Sequence, residues 1–270
     1  LALEKLAGHW TDYLVVINHE DEQAAQKHHL VPHDRVRYMP GIGVDTDRYR
    51  PGMVSVKKVQ AVRDEMGLGP EDKLLLMVAE FIPRKRHSDV LRAFAALKRP
   101  HVHLALAGAG PLTDQMKALA QELGISERTH FIGYRKDIPV LMRACLATIL
   151  PSEQEGLPRS VMESLSLEVP VIGSDIRGTH GLLQGGCGRL FGLGDTVALA
   201  QAMAWFADHG PEAQEMGRLG RQRMLDVYAQ RHIVVLHTSL YQEALEHDTR
   251  AGSGENARAE IAYPGPLLPK

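Results

Sequence analysis

The chain has 270 residues, 44% of them hydrophobic and 24% charged, which is enough apolar content for one domain and part of another. Its 31 Lys and Arg nearly balance 33 Asp and Glu, and a net charge of −2 excludes the overall basic field of a nucleic-acid binder. Two cysteines, Cys145 and Cys187, cannot build a disulfide framework, and no apolar run approaches the roughly 20 residues that span a bilayer, so a reduced, cytoplasmic compartment is expected.

In chain order, "LALEKLAGHWTDYLVV" has no basic n-region and no initiating Met, so it is not a signal peptide, and a fragment of a longer protein is expected. "TDYLVVINHEDEQAAQKHHL" predicts a strand and a helix. "RVRYMPGIGVDTDRYRP" predicts a short strand entering a Gly/Pro/Asp linker. Residues 1–47 are too few to close a core and read as the end of an earlier α/β domain with its linker.

From residue 74 the pattern is regular. Strand-like runs at "KLLLMVAEF", "HVHLALAG", "THFIGY", "CLATILPS" (with Cys145 opening the strand) and "VPVIGSD" alternate with helical patterns at "SDVLRAFAALK", "LTDQMKALAQELG", "DIPVLMRA" and "LPRSVMESLSL". Apolar runs alternating with amphipathic helices indicate βαβ units, and so a doubly wound parallel α/β domain, placed at 48–230. Helical segments follow near 195–209, 211–226 and 231–247, the last a separate C-terminal helix. The tail 248–270, rich in Gly, Pro and charge without periodicity, is expected to be disordered.

Right-handed crossovers gather the loops after the strands along one edge, where open α/β sheets bind ligands. These loops read "IPRKRHS", "GAGPLT", "YRKD", "SEQEGLPRS" and "SDIRGTHG". In the first, Arg84 and Lys85 precede a helix with Ser88 as N-cap. Two cations there suit a diphosphate, although a solvated basic turn also explains them. In the second, Gly108 and Gly110 allow either backbone approach to a ligand or a structural turn. The dinucleotide fingerprint would need Gly where Thr113 stands, which disfavours a dehydrogenase. In the third, Tyr134, Arg135 and Lys136 border a base, or form a plain strand–helix junction capped by Asp137. In the fourth, Gly156 frees the backbone and Pro158 suits the first turn of a helix whose N-terminus favours anions. Glu155 sits before that helix and Glu163 within it, where a carboxylate accepts from vicinal hydroxyls. Solvated surface glutamates are the other reading. His101 and His103 on one strand face read as packing or edge residues, and no metal-ligand spacing is present.

"PSEQEGLPRSVMESL…VPVIGSD" resembles the E-x(7)-E segment of retaining glycosyltransferases of family 4, which have the GT-B fold. "MPGIGVDTDRYRP" is similar to that family's interdomain linker, and "LALAGAGPLTDQMKALAQELGISERTHFIGYRKDI" to its following βαβ unit. "GCGRLFGLGD" and the closing helices match in order, so the resemblance covers about residues 10–245. It implies a Rossmann-like C-terminal, donor-binding half with a remnant of the N-terminal domain, the rest of which is missing. Lys85 then matches the diphosphate-binding lysine, assisted by Arg84, and Glu163 the ribose-holding glutamate. Glu155, with the backbone of Gly156 and Leu157, matches the group gripping sugar and phosphate, and Tyr134 and Arg135 frame the base. No metal or other cofactor is implied. Three positions depart from the family: Glu80 stands where it usually has Arg, Glu168 where it has a left-handed Gly, and Gly181 where it often has an acidic residue.

The implied activity is transfer of a sugar from a nucleotide-sugar, a UDP-sugar before a GDP-sugar, to a glycan or lipid-linked acceptor. The setting is bacterial surface-polysaccharide assembly, by a cytoplasmic enzyme with peripheral contact at the inner face of the membrane. A GT-B nucleotide-sugar epimerase and a non-catalytic nucleotide-sugar-binding fragment are the alternatives.

Overall fold

The computed structural model of the chain describes residues 1–253, and side chains through residue 246. The chain divides into two compact units, Leu1–Gly43 with the chain from Asp226 onward, and Val44–Leu225. These units part at 43/44 and 225/226, where the sequence places its boundaries at 47/48 and 230/231. Gly43 is held against the backbone past Asp226, where a Cβ on it would lie 2.6 Å from the Tyr228 carbonyl oxygen.

The first unit opens with α1 (Ala2–Ala7), followed by β1 (Leu14–Val16), α2 (His19–Lys27) and β2 (Val36–Tyr38). β1 and β2 pair in parallel, and Asn18 caps α2 by accepting from the Asp21 amide. Val16, Ala25, Val31 and Val36 form its small core.

The second unit runs α3 (Val56–Glu65), β3 (Lys73–Val78), α4 (His87–Ala96), β4 (Val102–Ala107), α5 (Thr113–Glu122), β5 (Thr129–Gly133) and α6 (Ile138–Ala144). It continues with β6 (Ala147–Leu150), α7 (Arg159–Ser166), β7 (Val171–Ser174), α8 (Arg177–Leu183), β8 (Gly188–Phe191), α9 (Thr196–Asp208) and α10 (Gly210–Asp226). α11 (Gln230–Ser253) then returns to the first unit, where Glu243 accepts from the Tyr13 hydroxyl at 3.0 Å and from Arg37 at 2.7 Å. Those two bonds tie α11 to that unit. It also continues past 247, and the rest of the expected disordered tail lies outside the described residues.

All six strands of the second unit's sheet are parallel, in the order β5-β4-β3-β6-β7-β8. β6 and β7 are buried along their whole length and β3 and β4 nearly so, while the edge strands β5 and β8 are only partly covered. Burial on both faces is what the continuous apolar runs require, each large apolar side chain contributing about 1.5–3 kcal/mol. Phe81, Phe94, Leu104, Leu106 and Phe206 lie in this core.

Several local expectations are corrected. α4 starts at His87 with Arg86 at its N-cap, so Ser88 lies inside the helix. Cys145 ends α6, the strand begins only at Ala147, and burial pushes the Cys145 thiol up to about 12. Pro158 is the N-cap of α7, not a first-turn residue. The "SDIRGTHG" loop is helical from Arg177, because Gly173 lets α8 lie directly on β7, where a Cβ would come 2.4 Å from the Thr179 methyl. His101 precedes β4. On the strand itself, His103 stacks on His130.

Candidate functional site

Strand order places the site. The chain runs β3, β4, β5 in one direction and then returns to lay β6 on the other side of β3. The two loops after β3 and β6 thus part at a topological switch point, the crevice where open α/β sheets bind ligands.

Lys85 and Glu155 meet across that crevice. The Lys85 ammonium donates to Glu155 Oε1 in a charge-assisted bond, with only 16% and 12% of the two side chains exposed. Next to it, the Glu153 amide donates to the Arg84 carbonyl at 2.9 Å, so the loops are also joined by backbone. Arg84 itself is exposed, and among the described residues its guanidinium has no hydrogen-bond or ion-pair partner. Beneath this pair His87 is buried and stacks on Phe81 with ring centroids 4.0 Å apart. Burial first, and then the Lys85 charge, push the imidazole down to about 4, so it stays neutral beside the lysine.

α7 begins at Pro158 without a side-chain cap, so no side chain offsets its positive dipole end where this loop enters the helix. Gly156 is exposed and Leu157 half-buried, so the backbone before the helix is accessible. Behind it, α8 presses close. A Cβ on Gly178 would lie 2.4 Å from the Glu155 carbonyl oxygen, so this glycine sets how near the helix comes to the Glu155–Gly156 backbone.

Glu163 forms a separate centre on α7. Its side chain is 14% exposed and 3.6 Å from Arg159 Nη2, and the nearby Tyr49 phenol favours its charged form. Burial raises the Glu163 carboxyl above the usual glutamate range, opposed by Tyr49 and by the Arg159 and Arg48 charges. Burial, followed by Glu163, raises the Tyr49 hydroxyl in turn. Tyr49 is itself fixed, since Arg221 Nη1 donates to its carbonyl at 3.2 Å.

Other predicted positions fare differently. Gly108 and Gly110 are accounted for by a neighbouring loop: added Cβ atoms would lie 1.9 Å from the Ala79 carbonyl oxygen and 2.6 Å from that of Phe81. Phe81 donates to Ala109 and accepts from Leu112, so this G-x-G is a backbone clasp. Tyr134 is exposed. The Arg135 guanidinium is fully engaged, reaching Asp137 at 2.8 Å with both Nε and Nη2, and Glu65 at 2.5 and 3.1 Å. The Asp137 carboxylate serves Arg135, not the helix amides. Glu80 is exposed. Glu168 takes φ 60, the left-handed conformation expected of a Gly there, and a Cβ at Gly181 would meet open space. Sequence reasoning did not single out Tyr49, Arg86, Glu153 or Gly178.

Among the described residues no group of His, Cys, Asp or Glu side chains is arranged to hold a metal ion, and no helix is long and apolar enough to cross a membrane.

A model of the family described as glycosyl transferases group 1 matches residues 59–223, well over half of the chain. The chain belongs to this family. It is 32% identical over 255 residues to the putative glycosyltransferase EpsD of Bacillus subtilis (strain 168), covering 93% of this chain and 66% of that protein. It is 26% identical over 212 residues to the UDP-Gal:alpha-D-GlcNAc-diphosphoundecaprenol alpha-1,3-galactosyltransferase of Escherichia coli, covering 76% of this chain and 54% of that protein. The chain thus spans about half to two-thirds of the length of such relatives. Among solved structures, a glycosyltransferase from Rickettsia africae superposes with a TM-score of 0.82 at 17% identity, covering 90% of this chain and 67% of that one. HepE of Anabaena, in complex with UDP, gives 0.79 at 18%, covering 88% and 65%. The fold of this glycosyl transferase chain is of the Rossmann-like GT-B type, with six parallel strands, as the similarity to these solved glycosyltransferases shows.

Proposed function

We propose that this chain carries the nucleotide-sugar-binding half of a retaining glycosyltransferase of family 4, using a UDP-sugar to extend a glycan or lipid-linked acceptor in bacterial surface-polysaccharide synthesis. The observation that carries this is the meeting of Lys85 and Glu155 at the switch point, beside an uncapped α7 N-terminus that bears Glu163 one turn further on. The UDP bound to HepE, its UDP-glucose complex, and the UDP-galactose donor named for the E. coli relative support uracil as the base.

In this reading Lys85 and Arg84 face the diphosphate, and the α7 amides add their dipole. Together they stabilise charge that grows on the nucleoside diphosphate as it leaves. Glu163 accepts hydrogen bonds from the ribose hydroxyls. Glu155, displaced from Lys85 by phosphate, turns to the hydroxyls of the donor sugar, with the Gly156 and Leu157 backbone alongside. The bond from the sugar's anomeric carbon to phosphate oxygen breaks, and the bond to the acceptor oxygen forms on the same face. The acceptor's proton passes to the departing phosphate, so configuration is retained without a protein nucleophile or a metal ion. The enzyme works in the cytoplasm, meeting its lipid-linked acceptor at the inner membrane surface.

Calorimetric titration with UDP, and with GDP, ADP and NAD as comparisons, tests this reading. Selective UDP binding is expected. Equal affinity for all four, or none for UDP by the folded chain, would overturn it.

A further inference from the structure

Arg86 stands next to Lys85, and its geometry is unusual in two ways. Its backbone is left-handed, with φ 51 and ψ 42, a conformation that favours Gly over a side-chain-bearing residue. Its guanidinium is also spread over two elements. Nε donates to Asp89 Oδ2 on α4 at 2.6 Å, and Nη1 donates to Glu153 Oε1, in the loop after β6, at 2.7 Å. A third loop lies close by: a Cβ on Gly194, past β8, would sit 3.3 Å from Arg86 Nη2.

Three consecutive residues of one loop therefore grip the facing loop. The Arg84 carbonyl takes the Glu153 amide, the Lys85 ammonium takes Glu155, and the Arg86 guanidinium takes the Glu153 carboxylate. Lysine is a point charge on a flexible stem and does not fix its own position. When Lys85 exchanges Glu155 for phosphate, its cross-loop bond is lost, and Arg86–Glu153 is the side-chain tie that remains. A strained backbone held by such a tie is the kind found where a site must be preorganised.

We propose that Arg86 is a positioning residue for the diphosphate, bridging the loops after β3 and β6 through Glu153 so that Lys85 stays aimed at phosphate once Glu155 has let go. The proposal rests on the nucleoside diphosphate reading of this site. It assigns no contact with ligand to Arg86 itself.

The test is titration of the whole chain with UDP and with uridine, in the wild type and in Arg86→Gly, Glu153→Gln and the double variant. Glycine accepts the left-handed backbone without strain, so Arg86→Gly removes the tie and keeps the loop's conformation. UDP affinity is expected to fall roughly tenfold in either single variant, with uridine affinity unchanged. The double variant should lose little more than Arg86→Gly alone, because that variant already removes the Glu153 pair along with the Asp89 pair. Arg86→Lys, which can still reach Glu153, should recover part of the loss. Unchanged UDP affinity in Arg86→Gly and Glu153→Gln, or equal losses for UDP and uridine, would overturn the proposal. Lys85→Ala, run beside them, separates the two claims. If it loses UDP while the Arg86 and Glu153 variants do not, the site reading stands and Arg86 has no positioning role. If the wild type binds no UDP, both fall.

Discussion

Lys85 and Glu155, 70 residues apart in sequence, neutralise each other at the crevice between β3 and β6. In the proposed reading the carboxylate occupies the place that a phosphate takes on the ammonium. Glu155→Gln should therefore tighten UDP binding, by about tenfold, because the unpartnered Lys85 gains a compensating charge only from the ligand. The same change should destabilise the ligand-free chain by up to about 3 kcal/mol, the cost of an uncompensated, largely buried cation. Titration with UDP and chemical denaturation measure the two effects. Weaker UDP binding would mean that Glu155 assists the diphosphate instead of competing with it.

Glu163 gives a pH dependence of defined sign. Its folded-state value is raised, chiefly by burial, so the folded chain holds this proton more tightly than the unfolded chain does. The group therefore favours folding at low pH, and that contribution is lost as pH rises through its folded value. Glu163→Gln should raise the Tm at neutral pH while weakening uridine binding, since an ionised carboxylate accepts better from ribose hydroxyls. Uridine affinity of the wild type should fall toward acid, beginning above the ordinary glutamate range. Tyr49→Phe removes a partner that lowers the Glu163 value, so the acid limb should move to higher pH. An unmoved limb would detach Tyr49 from Glu163.

His87 acts in the opposite sense. Its value is depressed from 6.5 to about 4, so its contribution to stability is complete above pH 6.5 and is lost as pH falls toward about 4. The loss across that window is about 3 kcal/mol for this one group. His103 and His130, both lowered by burial, add to it. Denaturation midpoints measured above and below the window should show a smaller acid loss in His87→Phe than in the wild type.

Glu168 closes α7 in a left-handed conformation, with the Val169 amide donating to the Ser164 carbonyl and the Glu168 amide to that of Leu165, both at 3.0 Å. This is the Schellman arrangement, in which Gly is strongly preferred. Glu168→Gly should stabilise the chain by up to about 1 kcal/mol, reduced by the loss of a 3.9 Å approach to Arg221. Thermal unfolding measures it, and UDP affinity should not change.

The central strands were legible because burial on both faces makes them near-continuous apolar runs, as in "KLLLMV" and "ATIL". β8 was not, since "GRLF" is a short edge strand, partly covered and preceded by glycine. α3 buries only Val62, too little apolar face to stand out, and the glycines of "RGTHGLL" disguise α8. Lys85, Glu155 and Glu163 were visible as residues that packing does not explain. Their partners were not, because the Lys85–Glu155 pair follows from β6 lying beside β3, which no local pattern encodes. The left-handed backbone of Arg86 and the burial of Tyr49 in an apparent linker are likewise products of tertiary contact.

The central claim is that one nucleoside diphosphate lies with its phosphates on Lys85 and its ribose on Glu163. Parallel titration of Lys85→Ala and Glu163→Gln with UDP and with uridine tests it most directly. Lys85→Ala is expected to lose UDP affinity at least tenfold more than uridine affinity, while Glu163→Gln weakens both ligands alike. Equal losses of UDP and uridine in Lys85→Ala, or undiminished uridine binding in Glu163→Gln, would contradict it.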